Sequence, residues 1–278
     1  MSFIAILGAG PLGGAIAHKI AARDRIREVR LIDGDGSVAA GKALDIVQSA
    51  PIEGFSTRLS GGTSILAAAG AAAIVLADQA AGGAEYSGDT GLAVLREVAR
   101  FEKATPIVFA GATHQELLRQ AASELRMNPA RLIGSAPFAL ESALRALAGL
   151  VVDGSGVEIS LRVLGAPPDS AVVAWEEATA FGQPLSSQIA AHEIAGLASR
   201  IPGLWPPGPY ALASAAARIV EAIVDGSRRR FSCFVALGRG RAAAMPVELN
   251  EDGVRRVVEP ALTPQERTLL DNALERNR

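Results

Sequence analysis

In the first half of the chain, short apolar runs alternate with longer stretches in which apolar residues recur at helical spacing. The runs predict strands at 3–7, 29–32, 72–77, 107–110 and 132–133, and the intervening stretches predict helices at 12–23, 40–49, 88–102 and 115–125. Strands that alternate with helices form a parallel sheet covered on both faces. The pattern therefore predicts a doubly wound α/β domain over residues 1–137.

The pattern of the second half is different, and it predicts a mixed α+β domain over residues 138–278. After a first helix, we expect a strand pair around 158–163, a long helix over 211–224, and a hairpin whose strands are 231–237 and 243–249. A last helix begins near Thr263, because Thr263, Pro264 and Glu266 supply a cap, a first-turn proline and a capping-box acid.

Composition narrows the function classes. Hydrophobic residues make up 49% of the 278 residues and the net charge is −2, so the chain has material for a core and no basic stripe for nucleic acid. No stretch is apolar enough to suggest a membrane span, and the N-terminus does not resemble a signal peptide, so we expect a cytoplasmic protein. Cys233 is the only cysteine, and the three histidines lack the spacing of zinc ligands.

A glycine-rich segment lies between the first predicted strand and the first predicted helix. Gly8, Gly10 and Gly13 fit the GxGxxG pattern, with Pro11 and Leu12 at the predicted helix start. The next predicted strand ends in Asp33, where an acid can accept hydrogen bonds from an adenosine ribose and would repel a 2′-phosphate. These residues predict an NAD site rather than an NADP site. The alternative is that the glycines only allow close packing and that Asp33 only caps a loop.

Several further segments resemble those of the NAD-dependent malate and lactate dehydrogenases. The matching segments, which run over nearly the whole chain, are Gly41-Lys42-Ala43-Leu44-Asp45, Arg131-Leu132-Ile133-Gly134, Leu140-Glu141-Ser142-Ala143, Val163-Leu164-Gly165 with Asp169, and Tyr210-Ala211-Leu212-Ala213. The resemblance implies a Rossmann domain followed by the C-terminal substrate domain of that family. It also implies a nicotinamide cofactor, a small-molecule substrate and a homo-oligomer.

The residues that the family uses for chemistry are changed in this sequence. Oxidation of a 2-hydroxy acid needs a base, commonly a histidine held by a carboxylate, and cations that hold the substrate. Ala166-Pro167-Pro168 lies where the family has Gly-His-Gly, Glu141 replaces the partner acid, and Leu144 stands at an expected arginine. No lysine or arginine occurs between Asp78 and Leu95, where the resemblance places the arginines of a mobile loop. Ala110-Gly111-Ala112 replaces the usual Ser-Asn-Pro.

Three residues remain as candidates for chemistry. His114 follows a strand end near the expected crevice and could be a relocated base, or it could cap backbone groups at a helix start. Glu141 is the remaining carboxylate of the expected pair. Arg145 is displaced by one position, about 100° around the helix, from the expected arginine, and could instead lie at a surface.

Three functional hypotheses follow from this pattern. The first is a protein that binds NAD(H) without ordinary 2-hydroxy-acid catalysis. The second is an active oxidoreductase on another substrate, with His114 or a carboxylate as the proton acceptor. The third is a scaffold or subunit-interaction protein that has lost the cofactor. An open glycine loop would count against the third hypothesis, and a loop blocked by a side chain would favour it.

Overall fold

The computed structural model describes residues 2–238 and 240–276, and it confirms an α/β fold. The strands of the first half are β1 (Phe3–Leu7), β2 (Glu28–Ile32), β3 (Arg58–Gly62), β4 (Ala73–Leu76), β5 (Ile107–Phe109) and β6 (Leu132–Gly134). The helices between them are α1 (Pro11–Ala22), α2 (Gly36–Glu53), α3 (Gly88–Phe101) and α4 (His114–Ser123). These strands are parallel and lie in the order β3-β2-β1-β4-β5-β6.

This strand order fixes where a ligand crevice can form. The chain builds outward from β1 on one side of the sheet, and then returns to build outward from β4 on the other side. In such sheets ligands bind beyond the carboxyl ends of the strands, at the point where the strand order reverses. The glycine-rich segment follows β1 and Asp78 follows β4, so both lie at that point.

Two elements of the first half differ from the sequence prediction. Strand β3 was not predicted, because its sequence, Arg58-Leu59-Ser60-Gly61-Gly62, contains no apolar run and is typical of a loop. Helix α2 is longer at both ends than the predicted 40–49. It begins after Asp35, whose carboxylate accepts the Ser37 and Val38 amides at 3.1 Å, and it continues through Pro51 to Gly54, whose φ of 78° ends it.

The second half extends the same sheet. Its helices are α5 (Ala136–Val151), α6 (Ala191–Ser199), α7 (Pro209–Val224) and α8 (Pro264–Arg276). Its strands are β7 (Ile159–Ser160), β8 (Val163–Ala166), β9 (Ser170–Val173), β10 (Thr179–Ala180), β11 (Gln183–Pro184), β12 (Arg230–Leu237), β13 (Arg241–Asn250) and β14 (Gly253–Val257). Strand β12 pairs with β6, so the sheet runs continuously across the predicted domain boundary.

The predicted hairpin is confirmed as β12 and β13, but the predicted strand pair around 158–163 was wrong. Strand β7 belongs to a separate small sheet with β10 and β11, whereas β8 pairs with β9 and β13. Alternation of apolar residues cannot distinguish two short strands of one sheet from strands of two sheets. Within the described residues, no helix is both long enough and apolar enough to cross a membrane.

Candidate functional site at the switch point of the sheet

Every amide of the glycine-rich segment that can donate a hydrogen bond does so within the chain. The Gly8 amide donates to the Ile32 carbonyl at 2.8 Å, and the Gly10 amide donates to the Asp78 carbonyl at 2.9 Å. The Ala9 amide donates to Asp33 Oδ2 at 2.8 Å. Pro11 has no N–H. Beyond it, the Leu12 and Gly13 amides have no partner within the helix, and both donate to one side chain.

That side chain is Asp78. Its Oδ2 accepts the Leu12 amide at 2.9 Å and its Oδ1 accepts the Gly13 amide at 2.8 Å, so the carboxylate caps the N-terminus of α1 with both oxygens. Asp78 is 4% exposed. Burial raises its pKa above the ordinary value, while the two amides and the charge of Lys42 act in the opposite direction. The positive end of the α1 dipole is thus already matched by an internal anion.

The second glycine of the motif is the point of closest approach. A Cβ built on Gly10 would lie under 3.0 Å from the three atoms of the Asp78 carboxyl group. In dinucleotide-binding domains, the absence of a side chain at this glycine lets the backbone approach the pyrophosphate. In this chain the same space is filled by the Asp78 carboxylate.

Asp33, the predicted ribose ligand, is also engaged within the chain. Its Oδ2 accepts the amides of Ala9 at 2.8 Å and Ala80 at 2.9 Å, and its Oδ1 accepts the Asp35 amide at 2.9 Å. Tyr86 is buried nearby, and burial together with the charges of Asp33 and Asp78 raises its pKa to about 12. Asp33 therefore ties the glycine loop to the segment that follows β4.

This arrangement does not fit a bound dinucleotide. A pyrophosphate at the start of α1 needs the Leu12 and Gly13 amides, which Asp78 occupies, and it would meet a buried carboxylate of the same charge sign. The residues predicted for the cofactor, Gly8, Gly10, Pro11, Leu12, Gly13 and Asp33, do come together at one edge of the sheet. They are brought together around an acid of the chain itself.

His114 lies at the first position of α4 and is 1% exposed. The Gly111 amide donates to its Nδ1 at 3.0 Å, so the proton of the neutral ring is on Nε2, which is buried without a hydrogen-bond partner among the described residues. Burial lowers the pKa of His114 to about 4. A ring with one nitrogen accepting and the other already protonated has no free lone pair for a substrate proton, so the geometry favours the capping role.

We expect His114 to remain neutral in the folded protein throughout the range from about pH 8 to about pH 5. Because folding lowers its pKa from 6.5 to about 4, the protonated ring favours the unfolded chain, and stability should fall as the pH drops below 6.5. NMR titration of the His114 ring resonance tests this, with the urea-unfolded protein as the reference. A midpoint near 6.5 in the folded protein would contradict the buried, neutral state.

Glu141, on α5, is 1% exposed and is held by a serine and an arginine. The Ser232 hydroxyl donates to its Oε2 at 2.6 Å, and Arg162 Nη1 donates to its Oε1 at 3.1 Å. The Val163 amide donates to the same serine oxygen at 3.0 Å. Burial raises the pKa of Glu141, and the charge of Arg162 opposes that shift. The carboxylate is thus neutralised by a cation that directly precedes strand β8, the strand that leads to Pro167.

Pro167 is buried at the turn between β8 and β9 and has no group that can exchange a proton. It lines a cleft of about 420 Å³ together with Trp205 and Thr113. The described cations on this cleft are Arg119 and Arg276, and the Arg119 guanidinium is already bound by Glu116 at 2.6 and 2.8 Å. Arg145 lies elsewhere and donates from Nη2 to the Val157 carbonyl at 3.3 Å.

The sequence analysis did not identify Asp78 and Glu85, the two acids that accept the backbone amides at the switch point of the sheet. Glu85 accepts the amides of Ala112 at 2.9 Å and Thr113 at 2.8 Å, and also the Thr113 hydroxyl. The signal for Asp78 was present, because an acid that directly follows a buried parallel strand lies at the carboxyl edge of the sheet. No local pattern indicates that Glu85 reaches the turn before α4.

The comparisons with known proteins agree on the fold and on the relatives. The chain is 30% identical to the malate dehydrogenase of Thioalkalivibrio sulfidiphilus, over 99% of this chain and 96% of the relative, and 26% identical to L-lactate dehydrogenase A of Rhizopus oryzae, over 99% and 90%. Its structure resembles that of malate dehydrogenase from Aeropyrum pernix, with a TM-score of 0.87 at 20% identity, over 99% of this chain and 96% of the other. It also resembles lactate dehydrogenase from Cryptosporidium parvum, with a TM-score of 0.88 at 20% identity, over 99% and 95%. No family model matches the chain.

Proposed function

Because the chain belongs to the malate and lactate dehydrogenase family, we propose that it is a non-catalytic member, which keeps the fold and does not interconvert 2-hydroxy and 2-oxo acids. The observation that carries this proposal is the pairing of Glu141 with Arg162 and Ser232, together with Pro167 in the segment that replaces the family's Gly-His-Gly. In the family the corresponding carboxylate orients a histidine, whereas here Glu141 is paired with Arg162 and the segment contains no histidine. General-base catalysis contributes about 10²–10⁴ to a rate, and this chain lacks that contribution at Pro167.

The charges of the residues in the crevice support the same proposal. A small dicarboxylate or a 2-oxo acid needs cations placed beside the reacting carbon. The segment between Asp78 and Leu95 supplies no cation, and its acids Asp78 and Glu85 face the crevice. An anionic substrate would therefore meet negative charge where the resemblance predicts positive charge.

The hypotheses of an active oxidoreductase and of an NAD-binding protein gain less support. An oxidoreductase that uses His114 needs an accessible basic nitrogen, but Nδ1 accepts the Gly111 amide and Nε2 carries the proton of the neutral ring and is buried. The proposed function does not use the NAD predicted from the glycine pattern, because the groups that would hold the cofactor are bound within the chain. Of the three hypotheses, a scaffold or interaction protein without a cofactor agrees best with the geometry. The homo-oligomer implied by the resemblance remains a prediction.

The test is a reduction assay with oxaloacetate and with pyruvate, in which NADH absorbance is followed at high protein concentration. We expect no rate above that without protein. The malate dehydrogenase of Thioalkalivibrio sulfidiphilus, assayed with oxaloacetate under the same conditions, is the positive control. A rate with either acid that scales with the concentration of this protein would overturn the proposal.

A further inference from the structure

The segment from Asp78 to Ser87 joins the end of β4 to the start of α3 and folds back on itself inside the crevice. Asp78 and Glu85 form an isolated antiparallel bridge, and the Gln79 amide donates to the Ala84 carbonyl at 2.8 Å. The segment thus places one acid near each end of a compact turn. We refer to residues 78–87 as the crevice segment.

At one end of the crevice segment, Asp78 caps α1. Both amides at the start of that helix donate to its carboxylate, and Gly10 lacks the side chain that would overlap it. A carboxylate held by two amides at a helix N-terminus makes the interactions that the helix would otherwise offer to a phosphate group.

At the other end, Glu85 caps the turn before α4. Its carboxylate accepts two amides and one hydroxyl from Ala112 and Thr113. A Cβ built on Gly111 would overlap the Glu85 carboxyl group. Gly111 stands where the resemblance predicts an asparagine near the nicotinamide ribose. The loss of a side chain at Gly111 therefore makes room for the Glu85 carboxylate.

The middle of the crevice segment is attached as well. The Ala80 amide donates to Asp33, and Tyr86 is buried beside the two aspartates. Gly83 approaches Pro11, so that a Cβ on Gly83 would lie 3.5 Å from the proline ring. The contacts of the segment thus span the positions predicted for the pyrophosphate, the adenosine ribose and the nicotinamide ribose.

We propose that the crevice segment is an intramolecular substitute for the dinucleotide, with Asp78 in the place of the pyrophosphate and Glu85 at the nicotinamide end, so that the chain does not take up NAD(H). This inference deepens the proposed function and rests on it, since it explains why the amides at the family's cofactor site are already bound within the chain. The two proposals are tested separately, because binding is measured without substrate and turnover is measured with it.

The test is a calorimetric titration of NAD and NADH into four proteins: the unchanged chain, Asp78→Ala, Glu85→Ala and Asp89→Ala. Asp89 is an exposed acid in the first turn of α3 and serves as the matched control. We expect no saturable binding at millimolar cofactor for the unchanged chain and for Asp89→Ala. For Asp78→Ala we expect saturable binding with a Kd at least about tenfold below the millimolar limit set by the unchanged chain, equivalent to about 1.4 kcal/mol, because the competing carboxylate is removed. Glu85→Ala should show a smaller gain.

Two outcomes of the titration would overturn the inference. One is saturable binding of either cofactor to the unchanged chain. The other is a folded Asp78→Ala protein, judged by circular dichroism and thermal melting, that binds no better than the unchanged chain. If Asp78→Ala does not fold, the amide resonances of Leu12 and Gly13 in the unchanged chain decide the question. Resonances that stay fixed on addition of millimolar NAD support the inference, and resonances that shift overturn it.

Discussion

Replacing Arg162 with methionine should lower the free energy of unfolding by about 3–5 kcal/mol at about pH 8. The carboxylate of Glu141 is 1% exposed, and Arg162 is the cation that donates to it, at 3.1 Å. Without Arg162, the Ser232 hydroxyl and the more distant charge of Arg145 are left to stabilise the buried charge. Removal of one partner of a buried ion pair leaves an uncompensated charge, which is far more costly than the loss of a surface pair.

The pH dependence of that loss has a definite sign. Folding raises the pKa of Glu141, so its contribution to stability is complete below the pKa of the unfolded chain and is lost as the pH rises through the folded pKa. Without Arg162 the folded pKa rises further. The effect of Arg162→Met should therefore be larger at about pH 8 than at about pH 5, where Glu141 can take up a proton.

Urea unfolding at the two pH values measures both effects. Arg119→Met is the matched control, because it removes an arginine paired with the exposed Glu116, and it should cost about 1 kcal/mol or less. Adding Glu141→Met to Arg162→Met should recover part of the loss, since a buried pair replaced by apolar groups of similar volume is often neutral. Equal losses for Arg162→Met and Arg119→Met at about pH 8 would show that the Glu141 charge is satisfied in another way.

The order of elements in the first half could be predicted from sequence because the hydrophobic periodicity and the residues that end helices and strands agree there. Local sequence patterns predict the strand Phe3–Leu7, the glycine turn after it and the acid after β2, and the structure places all three as expected. No local pattern predicts strand β3. Its Gly61 lies so close to the Ala39 carbonyl on α2 that a side chain would overlap it, and it pairs with β2 through the backbone. A glycine required by packing has the same sequence signature as a loop glycine.

The state of the candidate site could not be predicted in the same way. The sequence places Asp33 and the glycine loop at one edge of the sheet, and that placement follows from the topology. The partner of each carboxylate depends instead on the path of residues 78–87, which contains no strand or helix signal. Glu141 shows the same limit, because its pairing with Arg162 joins residues 21 positions apart, one on α5 and the other in the connection before β8. Local sequence patterns therefore predict where the site residues lie, whereas non-local contacts determine the hydrogen-bond partners of their carboxylates.

Gly10→Ala should destabilise the chain by about 1–3 kcal/mol, and most of that cost should disappear in the Asp78→Ala background. An alanine Cβ at this position would overlap the Asp78 carboxyl group, whereas the backbone of Gly10, with φ near −68°, accepts any residue. Asp78→Ala by itself should cost about 0.5–2 kcal/mol, because it removes the cap from the Leu12 and Gly13 amides. The two substitutions should therefore be strongly non-additive.

Gly149→Ala supplies the control for this cycle. A Cβ on Gly149, on α5, would overlap the Gly156 amide nitrogen, which is backbone and makes no contact with Asp78, so its cost should be the same in both backgrounds. Urea unfolding of the two glycine variants, each with and without Asp78, measures the coupling for each pair. If Gly10→Ala and Asp78→Ala were simply additive, the Asp78 carboxylate would lie outside the space beside Gly10, and the start of α1 would be open to a phosphate group. Coupling at Gly10 with additivity at Gly149 would instead place the acid in the space that the family reserves for its cofactor.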